Sequence, residues 1–492
     1  MKMLGRTAVC ALMRCGIAWS MLAMGLVGHG SADELVFARG GKVRLAAEVR
    51  GDLVLLDTPG GALSFARSDF REIRAEEWPE REWPARLARS RDAKVDEKIE
   101  LAKWALGQGM VRESAMLFRE VHQRDPEQKA AASVVDMLAK LDRELKEPDT
   151  SEIRRALGAD FQTAKSTHLV LFHQHGAREA LERLDHLESV FTGFYLDFLI
   201  RGFSLRVPEE RLVFVWFKEG DDYRAFLARE GAGAFLDTHG YYHPTRKIVV
   251  AYDARSDDEP FAKREALVRQ ADALAAAGHR VEAAPAGARI AITRLDGTRK
   301  SFPRDKAALE LDAFQRDLQR QRLLLDMEWL EVDLPIAAHE LVHELVEASG
   351  LAARYSDFPT WLNEGLAMQF ESLRGGHWGG LANPSVLRLR DWNALKSTST
   401  LASLLRDEGL SRGYDREAYA NAWSFVNYVS QRRPECWIAI LDALRVPNSR
   451  ERDPRRIARE VLISASKQDL HAWELAWRAH ARPASLEREP AG

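Results

Sequence analysis

Two histidines four residues apart enclose a glutamate in the run Leu334-Pro335-Ile336-Ala337-Ala338-His339-Glu340-Leu341-Val342-His343-Glu344-Leu345. On a helix that spacing stacks His339 and His343 on one side. Leu334, Ala338, Leu341, Leu345 and Ala348 recur on a stripe that would face a core. Pro335 suits the first turn, where its missing N–H is not needed, and Ser349-Gly350 ends the helix with glycine as the cap. Two imidazoles so placed can bind one tetrahedral metal ion, and Glu340 can approach a water on that ion without ligating it. The plain alternative is a pair of surface histidines on an amphipathic helix.

Chemistry at such an ion needs a third protein ligand and an open position for water. Pro359-Thr360-Trp361-Leu362-Asn363-Glu364-Gly365-Leu366-Ala367 offers Glu364, which follows His343 with twenty residues between them. That interval holds a cap, a loop and a returning helix. Leu362, Leu366, Phe370 and Leu373 give the second helix an apolar stripe to set against the first.

Together, H-E-L-V-H and W-L-N-E-G-L-A resemble the gluzincin metallopeptidases, above all the aminopeptidase N-like and peptidase MA-like families. The resemblance is specific over 334–373 and looser over 160–254 and 400–480. It implies an α+β gluzincin-like domain with one Zn2+ held by His339, His343 and Glu364, and Glu340 as general base. The stretch from Tyr419 to Val429 resembles the helix that follows the third ligand in peptidase MA-like proteins. Tyr419 is therefore a candidate donor to the oxyanion of a tetrahedral intermediate. A core-packed phenol is the plainer reading, and Tyr414 is the lesser substitute. The Gly-x-Met-Glu-Asn motif that binds a substrate amino terminus in the aminopeptidase families is absent, which favours an endopeptidase. Other histidines carry less. Gly240 and Pro244 put His239 and His243 in a loop. His173 and His175 flank a strand end and are expected to face solvent. His377, among the glycines of 375–380, is expected on a mobile surface loop.

The remaining elements must position these residues. The 492 residues, 46% hydrophobic and 29% charged with a net charge of −3, describe soluble globular domains and give no reason to expect nucleic-acid binding. Residues 1–32 read as a signal peptide: Lys2, Arg6 and Arg14, an apolar run over 16–27, then Gly30-Ser31-Ala32 before Asp33. The run is too short to span a bilayer, so the mature chain is expected to be periplasmic or extracellular with no transmembrane span. Cys10 and Cys15 leave with the leader, and Cys436 has no partner for an internal disulfide. Residues 33–76 read as a small β-rich module resembling SH3-like or Sm-like barrels, and Trp78-Pro79 with Trp83-Pro84 as a linker. Residues 93–146 read as a helical hairpin resembling a single tetratricopeptide repeat, which cannot bury its own face and must pack on a neighbour.

Residues 160–482 then form the gluzincin-like domain. Strands are expected at 168–172, 212–217, 240–242 and 247–252, and helices at 177–199 and 221–229. Residues 255–332 read as an insertion with an Ala-rich helix, a hairpin turning at Asp296-Gly297 and an amphipathic helix over 306–331. The expectation is an exported zinc hydrolase acting on a peptide or protein, with a protein partner possible through the N-terminal modules. Its rival is a non-catalytic envelope scaffold with a structural or vestigial metal site, and hydrolysis of a non-peptide amide is a third option.

Overall fold

A computed structural model of the chain describes residues 32–58, 61–75, 78–293, 297–395, 399–410, 415–445 and 453–486. The leader through residue 31, Asp296 and Tyr414 lie outside the described residues. The architecture is mixed α+β, mainly helical with small sheets, and divides into compact units over 1–88 and 89–492.

The first unit holds β1 (Ala32–Phe37), β2 (Lys42–Arg50), β3 (Leu53–Thr58), β4 (Gly61–Ala66) and β5 (Phe70–Ala75). They form one antiparallel sheet in the order β4-β3-β2-β1-β5. Period-2 alternation buries Leu35, Phe37, Val43, Leu45, Val54 and Leu56. The rings of Phe37, Phe65 and Phe70 meet at centroid distances between 4.6 and 5.7 Å. The stretch expected as a linker is instead a helix, α1 (Pro79–Arg89). Pro79 presets the first turn, and Glu82 and Arg86, one turn apart, pair at 2.6 Å.

The second unit opens with α2 (Val95–Gly107), α3 (Val111–Arg124) and α4 (Lys129–Leu141), followed by α5 (Ser151–Ala156) and α6 (Ala177–Ile200). Helices α2, α3 and α4 all lean on α6, the neighbour that the helical hairpin needed. The central sheet runs β6-β7-β8-β10-β9, from β6 (Gln162–Lys165), β7 (Leu169–His173), β8 (Leu212–Phe217), β9 (Gly240–His243) and β10 (Ile248–Tyr252). Strands β7, β8 and β10 are parallel, and β6 and β9 are antiparallel edges. The three parallel strands are buried at every residue, so their sequences are continuous apolar runs rather than alternating ones. Val170, Phe172, Val213, Val215 and Val250 face α7 (Gly220–Arg229) and α5, while Leu169, Leu171, Phe214, Trp216 and Val249 face the main core.

The insertion is α8 (Asp258–Ala283), the hairpin β11 (Arg289–Thr293) with β12 (Arg299–Pro303), and the start of α9 (Arg304–Ala348). The structure departs here from the expected break at Pro335, because α9 is one helix of 45 residues with Pro335 in its interior. Both halves are anchored. Leu311, Phe314, Leu318 and Leu325 pack with Leu267 and Leu274 of α8, and Leu334, Ala338, Leu341 and Leu345 enter the main core. Tertiary burial on each side outweighs the one backbone hydrogen bond that proline cannot make.

Beyond α9 come α10 (Thr360–Ala367), the short hairpin β13 (Leu373–Arg374) with β14 (His377–Trp378), α11 (Val386–Ala394) and α12 (Leu401–Leu404). The described chain ends with α13 (Arg416–Arg432), α14 (Pro434–Arg445), α15 (Pro454–Ser466) and α16 (Leu470–Leu486). His377 is exposed on β14. Among the described residues no helix is long and apolar enough to cross a membrane.

His173 and His175 do not face solvent; both are buried. The reason lies far away in sequence. His175 Nε2 sits 3.3 Å from Asp253 Oδ2 at the end of β10. Arg183 of α6 reaches Glu179 at 2.8 Å, Asp253 at 3.6 Å and Asp333 at 3.9 Å, with its guanidinium 4.4 Å over the Trp216 ring. Arg255 pairs with Asp253 and Glu179 as well. Asp333, in the middle of α9, accepts the Ala254 N–H at 3.0 Å. This buried network ties α6, the end of β10 and α9 together just before the two histidines. Removing Arg183 leaves Glu179 and Asp253 short of a cation in a dry site. Arg183→Met is therefore expected to lower unfolding free energy by about 3–5 kcal/mol. Urea unfolding measures it, and a loss within about 0.5 kcal/mol, as at ordinary surface sites, would show that the network contributes nothing.

Candidate metal centre

The second half of α9 presents His339, Glu340 and His343 at the main core, and α10 returns beside it with Glu364. Trp361, Leu362 and Leu366 bury α10 in the same core, while Asp407 accepts the Trp361 N–H at 2.7 Å and satisfies one of its open N-terminal amides. Three of the atoms so delivered converge. His339 Nε2 lies 3.0 Å from His343 Nε2 and 3.1 Å from Glu364 Oε2, and His343 Nε2 lies 3.6 Å from Glu364 Oε1. Ligands at the usual zinc distances on tetrahedral vertices stand about 3.3 Å apart. The donor set fits: two imidazole nitrogens and a carboxylate, all buried, with their ligand atoms within 4.8 Å of one another. The sequence-predicted ligands are thus brought together.

Electrostatics asks for a cation at the same place. Burial opposes the His339 imidazolium, but Glu364 and Glu371 prevail and hold its pKa up to about 10. Burial takes His343 down to about 4. Burial also works against the Glu364 charge, yet His343, His339 and Arg388 keep its pKa below the ordinary value.

Glu340 stands outside this trio. Its Oε2 accepts the Tyr242 N–H of β9 at 2.7 Å, and burial, aided by the charge of Glu364, lifts its pKa to about 7. Strand β9 comes this close because position 240 is glycine: a Cβ there would lie 2.8 Å from Glu340 Cγ and 2.9 Å from Ile336 Cγ2.

Sequence reading missed three partners. Glu371 accepts from His339 Nδ1 at 2.8 Å, and Arg388 grips it from Nε and Nη2, both at 2.8 Å. Against the cost of burial, Arg388 and His339 take the Glu371 pKa down to about 2. Such a carboxylate fixes the tautomer and orientation of a ligating imidazole. Its signal was present, since Glu371 follows Glu364 by two helical turns. Tyr355 is the second: its Oη donates to Glu364 Oε1 at 3.4 Å and its ring meets His343 edge to face at 5.1 Å. The third is Tyr242, through its backbone, and no side-chain pattern announces it. Tyr419 is half-buried on α13, with the Arg388 guanidinium 5.8 Å from its ring.

A second trio of possible ligands, His175, Glu179 and Asp253, is geometrically compact. Arg183 and Arg255 already supply its cations, so its chemistry is that of an ion-pair network.

One protein family matches part of the chain. It is described as a protein of unknown function (DUF1570), and it matches residues 334–448. That span runs from the start of the histidine segment to just past the end of α14 and contains His339, His343, Glu364, Glu371, Arg388 and Tyr419. Curated proteins yield no match.

If Glu371 orients His339, Glu371→Gln should weaken binding of a divalent ion by about 10- to 100-fold while α9 and α10 stay folded. Chelator competition with circular dichroism measures both, and an unaltered affinity would reduce Glu371 to a structural ion-pair partner of Arg388.

Proposed function

We propose that the chain is an exported zinc metallopeptidase of the gluzincin kind, an endopeptidase that cleaves peptide or protein substrates with Glu340 as general base. The observation that carries the reading is the convergence of His339, His343 and Glu364 with Glu340 beside them and outside the ligand set. A purely structural site has no use for that fourth residue.

Zinc, when bound to the two imidazoles and Glu364, supplies Lewis acidity toward the scissile carbonyl and toward water. Glu340 takes the water's proton at its carboxylate and returns it to the leaving amine. Tyr419, or Tyr355 by its position beside Glu364, donates a hydrogen bond to the oxyanion. β9 is an edge strand of the central sheet and meets Glu340 through the Tyr242 N–H, so an extended peptide adding along that strand would bring its backbone alongside the base.

Ligand and base separate under mutation. His339→Ala and Glu364→Ala should yield metal-poor, inactive protein. Glu340→Gln should retain about one zinc per chain and lose about 100- to 10,000-fold in hydrolysis of a denatured protein. Metal analysis with that assay decides it: activity surviving in Glu340→Gln contradicts the mechanism, and wild type without metal contradicts the zinc assignment.

The two phenols are distinguished in the same assay. Tyr419→Phe is expected to reduce kcat by about 10- to 1,000-fold with stability retained. A normal kcat there, with the loss appearing in Tyr355→Phe, would move the oxyanion role to Tyr355.

A further inference from the structure

Residues 371–388 carry the outer partners of His339, and the turn between α2 and α3 clasps them. The Ala382 N–H donates to Gly107 O at 2.7 Å, Arg374 Nη2 to Gln108 O at 2.7 Å, and Asn383 Nδ2 to Gln108 Oε1 at 3.0 Å. Backbone also lies directly on backbone. Gly109 and Gly380 have φ of +76° and +79°, and a Cβ on Gly109 would come within 2.9 Å of Gly379 C and Gly380 N.

Two short routes lead from this clasp to Glu371. Along the first, the Gly379 N–H donates to Ser372 O at 2.9 Å, and Trp378 Nε1 to Phe370 O at 3.1 Å, which pins the backbone on both sides of Glu371. Along the second, Asn383 lies two residues before Ser385. Ser385 Oγ donates to Glu371 Oε2 at 3.3 Å and caps α11, the helix that carries Arg388.

We infer that Gln108 and Gly109 are positioning residues for the metal centre: the α2–α3 turn holds residues 371–388 in the register that sets Glu371 and Arg388 on His339. The inference rests on the metal reading above. It gives the accessory helices a task that requires no partner protein.

The test uses the full chain, with zinc affinity read by chelator competition at a temperature where every variant is folded. Gly109→Ala is expected to bind zinc about 10- to 100-fold more weakly, the range for losing an outer partner of a ligand. Gln108→Ala inserts nothing into the clasp, removes only the side-chain bond from Asn383, and should show a smaller loss of the same sign. In a double-mutant cycle with Glu371→Gln, either change should add little to the loss that Glu371→Gln causes alone. Wild-type affinity in both variants, or losses that multiply with that of Glu371→Gln, would overturn the inference and leave the metal reading standing. Wild-type protein that binds no zinc would overturn both.

Discussion

Keeping two carboxylates charged inside an apolar core is the constraint around which the centre is arranged. Glu364 and Glu371 are both buried, and both lie against the His339 imidazole. A buried carboxylate without a cation is costly enough that it would protonate instead. Arg388 supplies one positive charge from α11, and Asp391 then balances Arg388 and is itself met by Arg416 at 2.6 Å. Charge alternates from the buried imidazole of α9 through Glu371 to Arg388 and Asp391, one turn apart on α11, and out to the exposed Arg416 of α13. The meeting of α9, α10, α11 and α13 therefore follows from electrostatic need as well as from apolar packing.

The long helix α9 transmits that arrangement to the rest of the unit. It is tied to the central sheet at two points flanking the first histidine, through Asp333 to Ala254 and through Glu340 to Tyr242. Burial and the neighbouring Asp253 push the Asp333 carboxyl well above the usual carboxylate range, so the rotation of α9 about its axis is set by a buried polar contact to Ala254 and Arg183. The insertion shares the same helix and has a core of its own, and the backbone of α9 runs unbroken from that core to His339 and His343. Such a beam carries bending and rotation along its length, whereas a break at Pro335 would have isolated the two ends.

Local pattern was enough to point to the meeting of His339, His343 and Glu364 and to the buried strands. His339, His343 and Glu364 stood in two short runs whose apolar stripes set one helix against the other, and β8 occupies the apolar run 212–217 as read. What local pattern could not carry was any feature decided by a distant partner. Pro335 reads as a helix start because proline favours that position, and only packing on α8 and the sheet keeps the helix whole. His173 and His175 read as exposed because they flank a strand end, while Asp253, the partner of His175, lies just past the end of β10. The glycines of 375–380 read as freedom of movement, yet Gly379 and Gly380 meet the α2–α3 turn because backbone there touches backbone. Trp78 to Pro84 failed for a simpler reason: two prolines suggested a linker where one heads a helix and the other is tolerated within it.

Glu340, Glu344 and Tyr355 show how the centre departs from a merely stable core. All three are held by burial above their ordinary pKa values, and Glu344 has a carboxylate oxygen with no hydrogen-bond partner. An apolar side chain at any of these positions would remove the cost of burying an ionisable group. The ligands can be justified by the ion they would hold, and Glu371 and Arg388 by the ligand they orient. Among the described residues Glu340 has only the Tyr242 N–H as a hydrogen-bond partner for its carboxylate, and position 240 must be glycine for β9 to reach it. A glutamate that the fold accommodates at a cost in stability is what the proposed general-base role requires, and displaced pKa values of this kind gather where chemistry is carried out.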